Sequence, residues 1–163
     1  MKTKRDVILA VIFTLAVVGQ IALTFIFYNE NANTIIINLG WVILWISALF
    51  GWLPIFTFKK YGGVPKGKSY IETSILVERG VYAIVRHPQY LAGILIGLSL
   101  PLISQHWLVA VLGLIVIVVT YFNTFDEEAL NLAKFGEEYR QYMQRVPRLN
   151  FLLGIYRLLV KKR

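Results

Sequence analysis

The sequence predicts an all-α, polytopic membrane protein with four transmembrane helices, cytoplasmic N- and C-termini and a C-terminal helix lying in the interface. Three observations predict this class. Of the 163 residues, 57% are hydrophobic and 16% are charged, which is too apolar for an ordinary soluble domain. Long runs at 7–28, 35–58 and 90–125 contain no Asp, Glu, Lys or Arg. All 17 Lys and Arg residues lie outside these runs.

The runs define the spans, because a helix needs about 20 apolar residues to cross the roughly 30 Å hydrocarbon layer. We expect spans at 7–28 and 35–58, the first staying as an anchor because no small-residue cleavage site follows it. The third run is too long for one crossing. Splitting it at Ser104-Gln105-His106 gives spans at 88–103 and 107–125, all within one domain, 1–163.

The basic residues predict the orientation of these spans. They lie before the first run, within 59–86 and after Phe125, whereas the loops 29–34 and 104–106 carry one charge, Glu30. The positive-inside rule therefore places both chain ends and the middle loop in the cytoplasm. The net charge of +8 indicates a rim that faces anionic lipid rather than a nucleic-acid surface. The absence of Cys excludes disulfides and Cys-type zinc sites.

Proline and glycine predict the helix ends. Pro88 suits the first position of a helix, which makes His87 the expected cap and leaves the next backbone N–H groups free to bind an anion. Pro54 is expected to kink or thin the end of the second span. Gly136 is placed to end a helix that continues from the fourth span. Residues 151–160, followed by a basic end, predict an interfacial helix.

Polar residues cluster on both sides of the last predicted hairpin. Arg86 and His87 precede the third span, and Asp126-Glu127-Glu128 follows the fourth, so the hairpin returns them to the same side of the membrane. These residues could share one site, although a basic stop signal and a solvated acidic face are the alternatives. At most two of three adjacent acids can point one way. No ionisable residue lies at mid-membrane depth, which argues against an ion pump.

Residues 145–148, Arg-Val-Pro-Arg, fit a phospholipid-headgroup contact or a substrate clamp equally well. We expect Glu137 and Glu138 to balance Arg140 and Arg145 at the lipid surface.

The linked motifs resemble those of the isoprenylcysteine carboxyl methyltransferases and, more loosely, the membrane phospholipid N-methyltransferases. The resemblance covers about residues 75–148. Its motifs are Gly80-Val81-Tyr82, Arg86-His87-Pro88-Gln89-Tyr90, Gly93, Glu127-Glu128, Phe135-Gly136-Glu137-Glu138-Tyr139, Tyr142 and Arg145-Val146-Pro147.

This resemblance implies an S-adenosyl-L-methionine site in a cytoplasmic region formed by about 74–90 and 126–148. The implied cofactor-binding residues are Ser74, Ile75, Leu76, Val77, Tyr82, His87, Pro88, Gln89, Tyr90 and Glu127. The candidate catalytic residues are Arg86, Glu128 and Arg145, and the candidate substrate-binding residues are Asn123 and Arg148. The prenylcysteine methyltransferases carry a substrate-contacting Arg four residues before the cofactor-binding Glu, where this chain has Asn123. Arg86, Arg145 or Arg148 could replace it, or the acceptor could be another lipophilic carboxylate, amine or thiol.

The function implied is methyl transfer to a lipophilic or lipidated acceptor at the cytoplasmic membrane face, first of all carboxyl methylation of a prenylcysteine-like or other lipid-like substrate. An amine acceptor would need a base, for which Glu128 or a water is the candidate. Phospholipid N-methylation is an alternative. A non-catalytic membrane protein that binds lipid headgroups is an alternative from another class. A nicotinamide-dependent reductase of the sterol-reductase type is a third, against which the short chain and few spans argue. Membrane lipids are the expected partners, and the oligomeric state stays open.

Overall fold

The structure is a computed structural model that describes residues 4–29, 31–63, 67 and 73–161. These residues form α-helices and one short 3-10 helix, Gly80–Ala83, with no strand among them. The predicted all-α class is therefore confirmed for the described chain. The five α-helices are α1 (Lys4–Ile26), α2 (Thr34–Tyr61), α3 (Pro88–Ser104), α4 (Trp107–Arg145) and α5 (Phe151–Lys161).

Three of the described helices are long and apolar enough to cross a membrane: α1 over Val7–Ile26, α2 and α4. Their length and composition are consistent with an integral membrane protein. Helix α3 is apolar but shorter, with 17 residues. A fourth span at α3 and cytoplasmic chain ends stay predictions.

Two helix ends differ from those expected. Helix α2 continues through Pro54 to Tyr61, past the predicted end at residue 58. A proline removes one backbone donor, and one missing bond does not end a membrane helix. Gly136 has φ 56° and ψ −127°, which confirms the predicted break there. Beyond it the chain resumes a helical course as far as Arg145, which the sequence did not predict.

The described residues separate into two compact units. The first contains those of Met1–Ala48 and Ala92–Asn123. Leu100, Ile103 and Val109 form its buried core. Glycines allow close helix packing here, because a Cβ on Gly40 would lie 2.7 Å from the Ile103 side chain.

The first unit also contains a buried polar contact. The Gln20 amide donates to the carbonyl of Gly97 at 3.1 Å and faces that of Val109 at 3.4 Å. Because Pro101 has no backbone N–H, the Gly97 carbonyl, four residues earlier, lacks its usual donor within α3. Gln20 of α1 therefore supplies the donor that α3 lacks.

The second unit contains the described residues of Leu49–Leu91 and Thr124–Arg163. Tyr139, Tyr142 and Val146 form a buried cluster. The Tyr142 hydroxyl donates to the carbonyl of Tyr82 at 2.6 Å. Helix α5 packs so closely that a Cβ on Gly154 would lie 1.8 Å from the Ile84 carbonyl oxygen. All the polar contacts described next lie within this unit. A single domain for the whole chain stays a prediction.

Candidate functional site

Glu128 is the centre of a buried group of charges in the second unit. Its side chain is 5% exposed and its Oε1 lies 3.0 Å from Arg86 Nη2. The same oxygen lies 3.3 Å from His87 Nε2. Arg148 donates from Nε to Oε1 at 3.1 Å and from Nη2 to Oε2 at 2.5 Å. One carboxylate therefore holds two arginines and a histidine together.

Backbone contacts position the two segments that carry these cations. The amide N–H of Arg86 donates to the Pro147 carbonyl at 3.0 Å, and that of His87 donates to the Arg148 carbonyl at 3.3 Å. The Leu91 N–H donates to the His87 carbonyl at 2.9 Å, so His87 is the residue that precedes α3, as predicted. Two stretches about 60 residues apart in sequence are thus held side by side.

The electrostatics of Glu128 favour its charged form. Glu128 follows the apolar segment 107–125 of α4, so it lies outside the part of this helix that we expect to cross the membrane. Burial alone would raise the pKa of Glu128, but hydrogen bonds from His87 and Arg148 and the charge of Arg86 lower it from 4.5 to about 2. Glu128 is therefore a permanent anion near neutral pH.

Arg86 has more donors than this carboxylate can accept. Its side chain is 7% exposed, and its Nε and Nη1 atoms are buried with no hydrogen-bond partner among the described residues. A buried donor left unpaired carries a desolvation cost. The N–H groups of these two nitrogens are suited to a further acceptor, such as a carboxylate.

Glu127 has a different environment from its neighbour. It is half-buried, and the Tyr90 hydroxyl donates to its Oε2 at 3.3 Å. The His87 ring lies edge-on to the Tyr90 ring with centroids 5.5 Å apart. Glu127 and Glu128 therefore belong to one connected group of side chains, in which Glu127 is the more accessible carboxylate.

Arg148 has a second contact that sequence reasoning missed. Its guanidinium lies 3.9 Å from the centroid of the Phe125 ring, a cation–π contact at the start of the acidic run. No spacing in the sequence indicates a contact between positions 125 and 148.

Arg145, a candidate catalytic residue together with Arg86 and Glu128, pairs with a different acid, Glu78. It donates from Nη2 to both oxygens of Glu78, at 2.8 and 3.0 Å. Glu78 comes just before the 3-10 helix, and this bidentate pair satisfies the Arg145 guanidinium elsewhere. Glu137 pairs with Arg140 at 3.3 Å as expected. We also expected Glu137 and Glu138 to balance Arg145, but the acid that pairs with Arg145 is Glu78.

The other predicted cofactor residues have varied surroundings. Val77 and Tyr82 are buried, and the Tyr82 ring stacks on Phe58 with centroids 4.6 Å apart. Leu76 packs against the buried tyrosine cluster. Ser74 donates to the Gly63 carbonyl at 2.9 Å.

Pro88 is buried, whereas Ile75 and Gln89 are exposed. Asn123 is half-buried and belongs to the first unit. Its assignment to the substrate, like the other assignments, stays a prediction.

Helices long and apolar enough to span a membrane, and a buried charge cluster after an apolar segment, are the features of a membrane protein with a polar site. The profile of the phospholipid methyltransferase family matches residues 35–138, more than half of the chain. The chain therefore belongs to the phospholipid methyltransferase family, a family of membrane methyltransferases. No curated protein and no solved structure shows significant similarity to it.

The matched segment contains Arg86, His87, Glu127 and Glu128, whereas Arg148 lies beyond its end. The match supports this broader family and not specifically the isoprenylcysteine carboxyl methyltransferases.

Proposed function

We propose that the protein is an S-adenosylmethionine-dependent methyltransferase that methylates a lipophilic acceptor at the cytoplasmic face of the membrane. The observation that carries the proposal is the buried contact of Arg86 and His87 with Glu128, inside the segment that matches a methyltransferase family. The cytoplasmic side is supported by the positive-inside distribution of Lys and Arg.

The residues of this group fit the chemical parts of S-adenosylmethionine. The unpaired N–H groups of Arg86 suit its carboxylate, and Glu127 suits its ribose hydroxyls. Tyr90 offers an aromatic surface for a cationic group. When bound, the cofactor supplies a methyl group on a sulfonium.

Glu128 positions the other side chains rather than acting as a base. A general base works best with a pKa near the operating pH, and that of Glu128 is lowered to about 2. Its role is to fix Arg86, His87 and Arg148 in one arrangement and to compensate their charge. Positioning of this kind contributes strongly to methyl transfer, because the reaction needs alignment and exclusion of water.

A carboxylate acceptor suits this arrangement best. It needs no base, and the guanidinium of Arg148, one-quarter exposed, offers positive charge in place of the arginine that Asn123 replaces. We therefore propose carboxyl methylation of a prenylcysteine-like or other lipid-like acid. The second candidate is N-methylation of a phospholipid amine, which the family match favours. That reaction would need a proton acceptor, and Glu127 is the more accessible carboxylate.

The test is methylation by purified full-length protein with radiolabelled S-adenosylmethionine. Farnesylcysteine analogues, phosphatidylethanolamine and a farnesylcysteine amide that lacks the free carboxyl are the acceptors compared. We expect label on the free acid and none on the amide. Label on phosphatidylethanolamine alone would establish the second candidate. Absence of transfer to any of these acceptors and to a whole membrane extract would contradict the proposal.

A further inference from the structure

A second set of charged residues lies outside the contacts of Glu128. It lines a cavity of about 160 Å³ in the second unit. The lining residues are Glu78, Ala83, Arg145, Val146, Arg157 and Leu158. Neither of the two arginines here contacts Glu128, so this cavity is separate from the group described above.

Both arginines of the cavity are held by backbone carbonyls near the end of α4. Arg157 donates from Nη1 to the carbonyls of Arg145 at 3.2 Å and Gln144 at 3.5 Å. Arg145 donates from Nε to the Gln141 carbonyl at 3.3 Å. Guanidinium groups fixed in this way lose less entropy when they bind a ligand than free side chains do.

The charges in the cavity do not balance. Both carboxylate oxygens of Glu78 accept hydrogen bonds from Arg145. Arg157 pairs with no carboxylate among the described residues, and its Nε and Nη2 groups have no acceptor there. One acid and two arginines leave one net positive charge at this cavity. An anion is therefore the complementary ligand.

The exposed face of α5 indicates that this anion is part of a lipid. Leu152, Ile155, Tyr156 and Leu159 recur at helical spacing and are 40–67% exposed. Such a stripe on a helix with basic residues is typical of helices that lie in the interface, where the apolar face meets acyl chains and arginines reach the headgroups. Arg157 lies on the same helix as this stripe and lines the cavity, so a lipid whose acyl chains meet α5 has its headgroup within reach of Arg157.

We propose that the cavity lined by Arg145 and Arg157 binds the phosphate of an anionic phospholipid headgroup. The Nε and Nη2 groups of Arg157 donate to the phosphate oxygens, and Arg145 adds charge while it remains paired with Glu78. Charge-assisted bonds from arginine to phosphate are among the stronger hydrogen bonds in proteins. This lipid is a bound partner and not the methyl acceptor, so the proposal is independent of the reaction.

The test is a binding titration of the full-length protein in neutral detergent micelles. The ligands are short-chain phosphatidylglycerol, short-chain phosphatidylcholine and inorganic phosphate. We expect saturable binding of phosphatidylglycerol, weakened at least fivefold by Arg157→Gln. Arg140→Gln is the matched control, because it removes the same charge at an exposed pair with Glu137. It should leave the affinity unchanged.

Glu78→Gln should tighten the binding of phosphatidylglycerol, because it removes the acid beside the arginines. A misfolded variant would lose affinity, so a gain cannot result from misfolding. Equal losses in the Arg157 and Arg140 variants would overturn the proposal, as would equal affinity for the two lipids. If inorganic phosphate bound as tightly as phosphatidylglycerol, the cavity would be a site for free phosphate and not for a lipid headgroup. No gain of affinity in Glu78→Gln would overturn the role of the cavity.

Discussion

His87 Nε2 lies 3.3 Å from Glu128 Oε1, which joins the residue before α3 to the polar continuation of α4. The two residues are 41 positions apart, and both are buried. Because the carboxylate can only accept, it fixes the orientation of the imidazole ring. Arg86 and Arg148 contact the same carboxylate, so the pair is the centre of the candidate site.

Removal of the Glu128 charge should destabilise the protein strongly. Glu128→Gln leaves Arg86 buried without a counter-charge, and breaking a buried pair in this way costs about 3–5 kcal/mol. Glu137→Gln is the control, since its pair with Arg140 is exposed and worth no more than about 1 kcal/mol. The measurement is reversible unfolding in mixed micelles. Similar losses in the two variants would contradict a structural role for Glu128.

The stability supplied by Glu128 should depend on pH in a defined direction. Its folded-state pKa of about 2 is below its ordinary value of 4.5, so the carboxylate form stabilises the fold. This contribution is complete above about pH 4.5 and is lost as the pH falls towards 2. The difference in unfolding free energy between wild type and Glu128→Gln should therefore shrink between pH 6 and pH 3. A constant difference over this range would show that the charge of Glu128 does not matter.

The sequence predicted much of this fold and less of the site. Charge-free runs predicted α1, α2, α3 and the apolar part of α4 to within a few residues, because hydrocarbon depth limits where charges can lie. The cap at His87 and the break at Gly136 followed from backbone chemistry that acts locally.

The partners within the site did not follow from such local rules. Glu127 and Glu128 are adjacent, and successive positions on a helix point about 100° apart, so the pattern could not decide which acid contacts Arg86. The partner of Arg145, Glu78, is 67 residues away. Distant pairing of this kind depends on how whole segments pack, which residue spacing does not determine.

Loss of the Gln20 amide should destabilise the first unit more when Pro101 is present than when it is replaced. Gln20→Leu removes the donor to the Gly97 carbonyl, at a cost of about 0.6–1.7 kcal/mol for a hydrogen bond between membrane helices. Pro101→Ala restores an N–H four residues after Gly97. In that background Gln20→Leu should cost less, as measured by a double-mutant cycle of unfolding free energies. Strict additivity would argue against this compensation.

A methyl group at Gly154 should displace α5. The Cβ of Gly154→Ala would lie 1.8 Å from the Ile84 oxygen, a backbone atom that cannot rotate away. We expect a loss of about 1–3 kcal/mol and faster proteolysis after residue 150. Gly19→Ala is the control, because its Cβ would meet only the Leu112 side chain, at 3.1 Å. Equal proteolysis of the two variants would show that α5 does not depend on this contact.

The most direct test of the account is calorimetric titration of the purified protein with S-adenosylhomocysteine. We predict saturable binding by the wild type, weakened at least tenfold by Glu127→Gln and by His87→Ala but unchanged by Glu137→Gln. No saturable heat from a folded wild type, or equal affinities in all four proteins, would contradict the cofactor site and favour a non-catalytic protein that binds lipid headgroups.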